Sequence, residues 1–377
     1  MSQERPASQP TDLARTPDEG PTLTLKPFKG AAAGLGALVS SVKELKHTGY
    51  LSGAQLLARV NQEGGFDCPG CAWPDPQGHR SAFEFCENGV KAVAAEGTKR
   101  RVTPELFERH SLEALGAKSD HWLEAQGRLT HPMYKPKGAT HYQPISWEES
   151  FALIARQLKG MSHPDRAVFY TSGRTSNEAA FLYQLLARRL GTNNLPDCSN
   201  MCHESSGRGL METIGTGKGT VQLDDFDKAD CILVIGQNPG TNHPRMLSSL
   251  EQAAKRGCKI ITINPLRERS LERFAHPQHP LALLGRSTSI STLFLQVKIN
   301  GDVALLKGVM KALLELEDER GGVLDHDFIQ AHTAGFEELK RSLEGYTWEE
   351  LVEDAGVTEA QLREVADVYA NANATIA

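Results

Sequence analysis

Between residues 230 and 263 the sequence runs strand, turn, helix, strand, and no other stretch restricts the fold so sharply. Asp230 to Ile235 (DCILVI) is a short, β-branched apolar run, and Gly236-Gln237-Asn238-Pro239-Gly240 follows it as a turn. Pro244 to Arg256 then carries helical periodicity stopped by Gly257, and Lys259 to Ile263 (KIITI) is a second apolar run that ends at Asn264-Pro265. Apolar runs separated by a helix of this length form a βαβ unit, whose strands lie parallel and are buried on both faces. Such a sheet binds ligands outside the carboxyl ends of its strands. The expectation is an α/β fold with a doubly wound parallel sheet.

A third strand is expected at Arg166 to Thr171 (RAVFYT), running into Ser172-Gly173-Arg174-Thr175 before a helix capped by Ser176 and ended by Gly191. Gly173 and Arg174 thereby join the turns at Gly236, Asn238 and Thr241 and at Asn264-Pro265 as candidate positions for a phosphate or nucleoside. Backbone N–H groups and side-chain amides would hold it. Neither later turn contains a Gly-x-Gly-x-x-Gly or Walker pattern. Ser146 and Glu149 form a capping box ahead of an amphipathic helix to Leu158. Beyond Leu293 the chain reads as helical, with a long helix from Asp302 and shorter ones capped near Asp325, Thr347 and Thr358. Ala374 to Ala377 resembles the first half of a strand, so the expectation is a sequence that stops inside a larger protein.

The 377 residues are 40% hydrophobic and 23% charged with a net charge of −6, so the chain has material for a core and no polyanion-binding balance. Nucleic acid is not an expected partner. No apolar run approaches the length of a membrane span, and residues 1–25 read as a disordered tail without a secretory signal. A cytoplasmic location is expected.

The cysteines are uneven. Seven is an odd number, in a chain too large to need disulfide staples. Cys231 and Cys258 sit in apolar strand-like runs and read as core thiols. Cys68-Pro69-Gly70-Cys71 presents two thiols on one turn, with Cys86 the natural third ligand of a metal or iron–sulfur centre. A fourth ligand could be Asp67, Asp75, His79 or Glu87, or the position could be empty. A redox-inert turn or a zinc knuckle stays open on spacing alone. Residues 61–100 are rich in Gly, Pro, Cys and aromatics, so a loop-rich region stapled by a metal is expected there. Cys202-His203 stands in the polar segment 197–207, read as a loop with an exposed thiol beside an imidazole. That pair suits metal ligation and proton exchange, and a Cys/His hydrolase pair fits less well because adjacent side chains diverge.

Taken in order, the Cys-x-x-Cys segment, Gly127 to Pro132 (GRLTHP), Trp147-Glu148-Glu149, Gly191 to Asn194, Cys202-His203, GQNPGTNHP and the strand ending Asn264-Pro265 resemble the catalytic subunit of molybdopterin oxidoreductases. The formate-dehydrogenase-like subgroup is the nearest in pattern, through Cys-Pro-Gly-Cys-Ala-Trp-Pro and Phe-Cys-Glu-Asn-Gly. The resemblance implies molybdenum held by bis(molybdopterin guanine dinucleotide), with Cys202 as the metal ligand and His203 handling the substrate's proton. It assigns the turns at Gly236, Asn238 and Asn264-Pro265 to the guanine dinucleotide. It also implies a 4Fe-4S cluster at Cys68, Cys71 and Cys86, with Lys91 in the place of the lysine between cluster and pterin. One cluster cysteine fewer than usual is present, and Lys91 stands five positions after Cys86.

The domains expected are an iron–sulfur region at 26–145 and an α/β region at 146–377, stopping before a second half-domain and a C-terminal cap. The implied activity is two-electron oxidation or reduction of a small substrate such as formate, with electrons leaving through the cluster to an acceptor the sequence does not identify. The other class in view is a non-catalytic iron–sulfur or zinc-binding protein derived from such an enzyme.

Overall fold

The computed structural model describes residues 30–71, 73–78, 80–173, 175–196 and 198–377. The expected tail at 1–25 lies outside the described residues. The chain groups into two compact units, and that grouping interleaves segments from both sides of residue 145. The first comprises residues 47–49 and 94–219; the second comprises 30–46, 50–93 and 220–377.

In the second unit, a helix at Gly34–Glu44 comes before α1 (Tyr50–Leu57). The segment containing the three clustered cysteines follows and runs into α2 (Glu87–Glu96), a helix in a region expected to be loop. Its residues up to Val93 belong to this unit. Leu57, Val60, Val90 and Val93 form a small apolar cluster against which Cys68 and Phe85 pack.

In the first unit, α3 (Trp147–Lys159) starts as expected. Ser146 Oγ accepts from the Glu149 backbone N–H, and Glu149 Oε2 accepts from that of Ser146 at 2.8 Å. α4 (Asn177–Leu190) is capped by Ser176 and ends at Gly191, whose φ of 101° is the left-handed conformation a helix stop needs.

The strand expected at 166–171 is not formed. Pro164–Arg166 is a 3-10 turn, and residues 167–170 lie outside every ladder among the described residues. The Asn194 side chain engages carbonyls here instead: its Nδ2 donates to those of Asp165 and Ala167. Phe169 is buried, whereas Val168 and Tyr170 are exposed.

A second correction concerns 197–207, expected as a loop. α5 (Cys198–Ile214) runs through it. Its serines, asparagine and two glycines are weak helix formers. The close approach constrains Gly217: a Cβ on it would stand 3.1 Å from the Gly207 carbonyl oxygen, so the following loop lies close against the helix backbone.

The sheet belongs to the second unit. β1 (Cys231–Ile235) is followed by α6 (Pro239–Asn242), α7 (Met246–Lys255) and β2 (Lys259–Ile263). β3 (Leu293–Leu295) precedes α8 (Asp302–Arg320), α9 (Trp348–Ala355) and α10 (Glu359–Ala370), and β4 (Thr375–Ile376) completes the sheet. All neighbours are parallel, in the order β3-β2-β1-β4, with Cys231 opposite Lys259 and Ile235 opposite Ile263. Asp230 anchors β4 by accepting the backbone N–H groups of Asn373 and Ala374 at 3.0 and 3.1 Å, and these bonds hold its carboxyl below the usual range.

Alternation along the strands sends side chains to opposite faces. Cys231, Ile261, Ile263 and Leu295 meet Leu305, Leu351 and Leu362 from α8, α9 and α10. Ile232, Val234 and Ile260 meet Leu247 and Leu250 of α7 on the other side. Both faces are covered, as a doubly wound parallel sheet requires. Leu250 is fully buried, so its truncation to Ala would cost about 2–5 kcal/mol.

Candidate functional site

Cys68, Cys71 and Cys86 are free, half-buried thiols gathered where α2 begins. Gly89 makes the gathering possible. A Cβ there would stand 3.1 Å from Cys68 Sγ and 3.9 Å from Cys86 Sγ, so the missing side chain leaves one open face shared by two sulfurs. The Gly70 and Gly89 backbone N–H groups point at Cys68 Sγ and Cys86 Sγ at 3.4 Å each. Burial pushes both thiols up, and these N–H groups pull against it.

Among the described residues, no group of three His, Cys, Asp or Glu side chains stands ready to hold a metal ion. The three sulfurs are therefore neighbours and not a closed ligand set. Their chemistry fits an iron–sulfur cluster, since soft thiolates are its ligands and backbone N–H groups directed at sulfur are its usual surroundings. Of the expected fourth ligands, Asp67 is exposed, Glu87 pairs with Lys91 at 2.9 Å, and His79 lies outside the described residues. Asp75 is occupied by arginines: Arg80 Nη1 at 3.4 Å and Arg245 Nη2 at 2.9 Å.

The carboxyl ends of β1 and β2 form the second part of the site. Strand order reverses at β1, between β2 and β4, and the crevice beside such a reversal is where open α/β sheets take ligands. Gly236 leaves β1 with φ 65° and donates its N–H to the Ile263 carbonyl. Asn238 is half-buried, and its Oδ1 accepts from Ser270 Oγ at 3.2 Å. Gly240 is dictated by the same contact, because a Cβ there would fall 2.4 Å from that of Ser270.

Asn264 is buried and spends its Nδ2 on the Leu266 carbonyl at 2.7 Å, so it shapes its own turn. Thr241 is exposed, and its carbonyl accepts from Asn88 Nδ2. Gly236, Asn238, Thr241, Asn264 and Pro265 thus lie along one sheet edge, and Asn88 ties that edge to the thiol segment. With the Asn264 amide N–H committed to its own turn, backbone groups and the Asn238 amide nitrogen are what this edge would offer a nucleotide.

Cys202 and His203 belong to the first unit, exposed on the second turn of α5. Gly173 is exposed in the turn after Thr171, again in the first unit, while Arg174 lies outside the described residues. Cys231 and Cys258 are buried as expected, with Cys258 pushed up to about 11 by burial. The side chain of Cys198 lies outside what the structure describes. Sequence reasoning did not single out Arg245, Asn61 or Ser270. Their partners are remote in the chain, and the only local signal was their position beside motifs already marked.

Among the described residues, no helix is long and apolar enough to cross a membrane.

The model of one protein family, described as molybdopterin oxidoreductase, matches residues 128–305. An uncharacterized oxidoreductase of Mycobacterium tuberculosis is 51% identical over 356 residues, which is 94% of this chain and 46% of that protein. Protein YdeP of Escherichia coli is 48% identical over 359 residues, 93% of this chain and 47% of its own. The alpha subunit of F420-dependent formate dehydrogenase 1 from Methanococcus maripaludis is 30% identical over 292 residues, 76% of this chain and 39% of the subunit. Acetylene hydratase from Pelobacter acetylenicus shares the fold at a TM-score of 0.50 and 21% identity, over 63% of this chain and 30% of the other. The chain spans about half the length of the mycobacterial and E. coli relatives.

Proposed function

Because this chain belongs, through residues 128–305, to the molybdopterin oxidoreductase family, we propose that it carries the metal-ligand and electron-exit half of a formate-dehydrogenase-like enzyme. The reaction is a two-electron oxidation or reduction of a small substrate, with formate the first candidate. The observation that carries the reading is the division of its thiols. Cys202 is exposed within the family-matched segment, whereas Cys68, Cys71 and Cys86 are half-buried, Cys68 and Cys86 against Gly89.

Molybdenum held by two molybdopterin guanine dinucleotides would supply the two-electron chemistry when bound. Cys202 Sγ offers the soft sulfur ligand. It sits exposed on the second turn of α5. His203, the next residue on the helix, has the side-chain type suited to holding a substrate proton near neutral pH. Gly236, Asn238 and Thr241 at the end of β1, with Asn264 and Pro265 at the end of β2, would seat one guanine dinucleotide. Gly173 and Arg174 would be further cofactor contacts. Cys68, Cys71 and Cys86 would hold an iron–sulfur cluster, with Lys91 beside it, passing electrons singly to an acceptor. The formate dehydrogenase subunit from Methanococcus maripaludis supports the substrate class, at 30% identity.

The test is formate-dependent dye reduction by the anaerobically purified full-length protein, compared with Cys202→Ser. Loss of turnover with unchanged circular dichroism supports the assignment. Full turnover by the serine variant would remove Cys202 as the metal ligand.

A further inference from the structure

We infer that Arg245 is the positioning residue of the thiol site: its guanidinium clasps both limbs of the loop between Cys71 and Cys86, and so sets where Cys86 stands relative to Cys68. The inference rests on the reading of these thiols as a metal-binding group.

Among its described residues from Trp73 to Phe85, that loop has no regular secondary structure. Its path is therefore set by side chains and not by a ladder or a helix. Arg245 precedes the first residue of α7 and is remote in sequence from every group it touches. On the limb leaving Cys71, its Nη1 donates to the Trp73 carbonyl at 3.3 Å, and its Nη2 lies 2.9 Å from Asp75 Oδ1. On the limb entering Cys86, the same Nη2 donates to Glu84 Oε1 at 2.7 Å. One planar fork thus spans the loop, a geometry lysine cannot reproduce.

Further bonds fix the frame around it. Asn61 Nδ2 donates to the Glu84 carbonyl at 2.7 Å, and Asn61 Oδ1 accepts from the Cys68 backbone N–H at 2.8 Å. Arg80 Nη1 donates to the Asn61 carbonyl at 2.7 Å. Position is therefore relayed from Arg245 through Glu84 and Asn61 to Cys68, and directly along the chain from Glu84 to Cys86.

Burial makes the clasp demanding. The Arg245 side chain is 10% exposed, Glu84 15% and Asp75 19%. Burial opposes the Arg245 charge, and the neighbouring Glu84 and Asp75 carboxylates more than restore it. A charge group this secluded is a poor source of net stability, since desolvation offsets much of its attraction. Its geometric effect is large because one side of the loop faces open space: a cavity of ≈ 570 Å³ borders Trp73, Glu84, Cys86, Arg245 and Ser248. Without the fork, the loop has room to collapse into that space.

The experiment titrates metal-free full-length protein with Co(II) under anaerobic conditions and follows thiolate-to-cobalt charge-transfer absorbance. Wild type is compared with Arg245→Lys and Arg245→Gln, and folding is monitored by circular dichroism. Both variants should bind Co(II) roughly 10–100-fold more weakly, with a shifted charge-transfer band in whatever complex forms. Should the glutamine variant unfold, the lysine variant, which keeps the charge, decides the matter. Wild-type affinity with an unshifted band in a folded Arg245→Lys protein would overturn the inference, even if its melting temperature fell. Iron analysis of the isolated wild type separates the two ideas. Absent iron would count against the cluster reading, whereas equal Co(II) binding by wild type and variants counts against Arg245.

Discussion

Asn88 Nδ2 donates a 2.9 Å hydrogen bond to the carbonyl of Thr241. Two residues beyond Cys86, it ties the start of α2 to α6, the turn that leaves the sheet after β1. The bond is one of the ties between the thiol segment and the sheet edge, within a single compact unit. Asn88→Ala should lower stability by about 0.5–1.5 kcal/mol, the net value of one such bond. Urea unfolding of wild type and variant measures it, and an unchanged midpoint would show that the tie does not hold in solution.

Gly89 carries a prediction about metal and not about folding. In a helix, alanine in place of glycine is favourable by roughly 0.5–1 kcal/mol, but here its Cβ would stand 3.1 Å from Cys68 Sγ. Gly89→Ala should stay folded while the full-length protein retains substantially less iron than wild type. Equal iron content would show that the face shared by the two sulfurs is not needed.

Acid sensitivity should be concentrated at the end of α8. Glu317 accepts from His326 Nε2 at 2.8 Å and from the backbone N–H groups of Val323 and Leu324. These bonds, that of His326 foremost, lower its carboxyl from an ordinary 4.5 to about 2. A carboxylate depressed in the folded state contributes stability above its unfolded pKa, and the contribution is lost as pH falls through the folded one. Melting temperature should therefore drop between pH 4.5 and about 2. Glu317→Gln should melt lower at pH 7 and show a flatter acid limb. Parallel curves for the two proteins would contradict this.

Thiol reactivity should follow burial. Cys231 and Cys258 are buried, and burial raises both, Cys258 to about 11. Cys202 is exposed. Brief iodoacetamide treatment of cofactor-free protein at pH 8, followed by peptide mass spectrometry, should label Cys202 and spare Cys231 and Cys258. In cofactor-loaded full-length protein, Cys202 should become protected. Its equal labelling with and without cofactor would argue against ligation.

Local signals were legible in the sequence and tertiary ones were not. Ser146, Thr347 and Thr358 cap their helices with partners three residues away, so their boundaries could be read directly. The apolar runs at Cys231–Ile235 and Lys259–Ile263 are buried on both faces and likewise announced themselves. The run at 166–171 has equal strand propensity, yet Asn194 takes its neighbouring carbonyls from far along the chain. The α5 helix was hidden by residues that favour turns. At the candidate site, the cysteines and the turn residues were visible as motifs. Arg245 was not, because Asp75, Glu84 and Trp73 reach it across sequence separations that no spacing rule addresses.

The central claim is that this chain belongs to an enzyme holding molybdenum or tungsten at Cys202 and iron at Cys68, Cys71 and Cys86. Elemental analysis of the anaerobically purified full-length protein tests it most directly. The account predicts molybdenum or tungsten in near-stoichiometric amount together with several irons per chain. Protein that contains zinc, or no metal, with neither iron nor molybdenum nor tungsten, would contradict it.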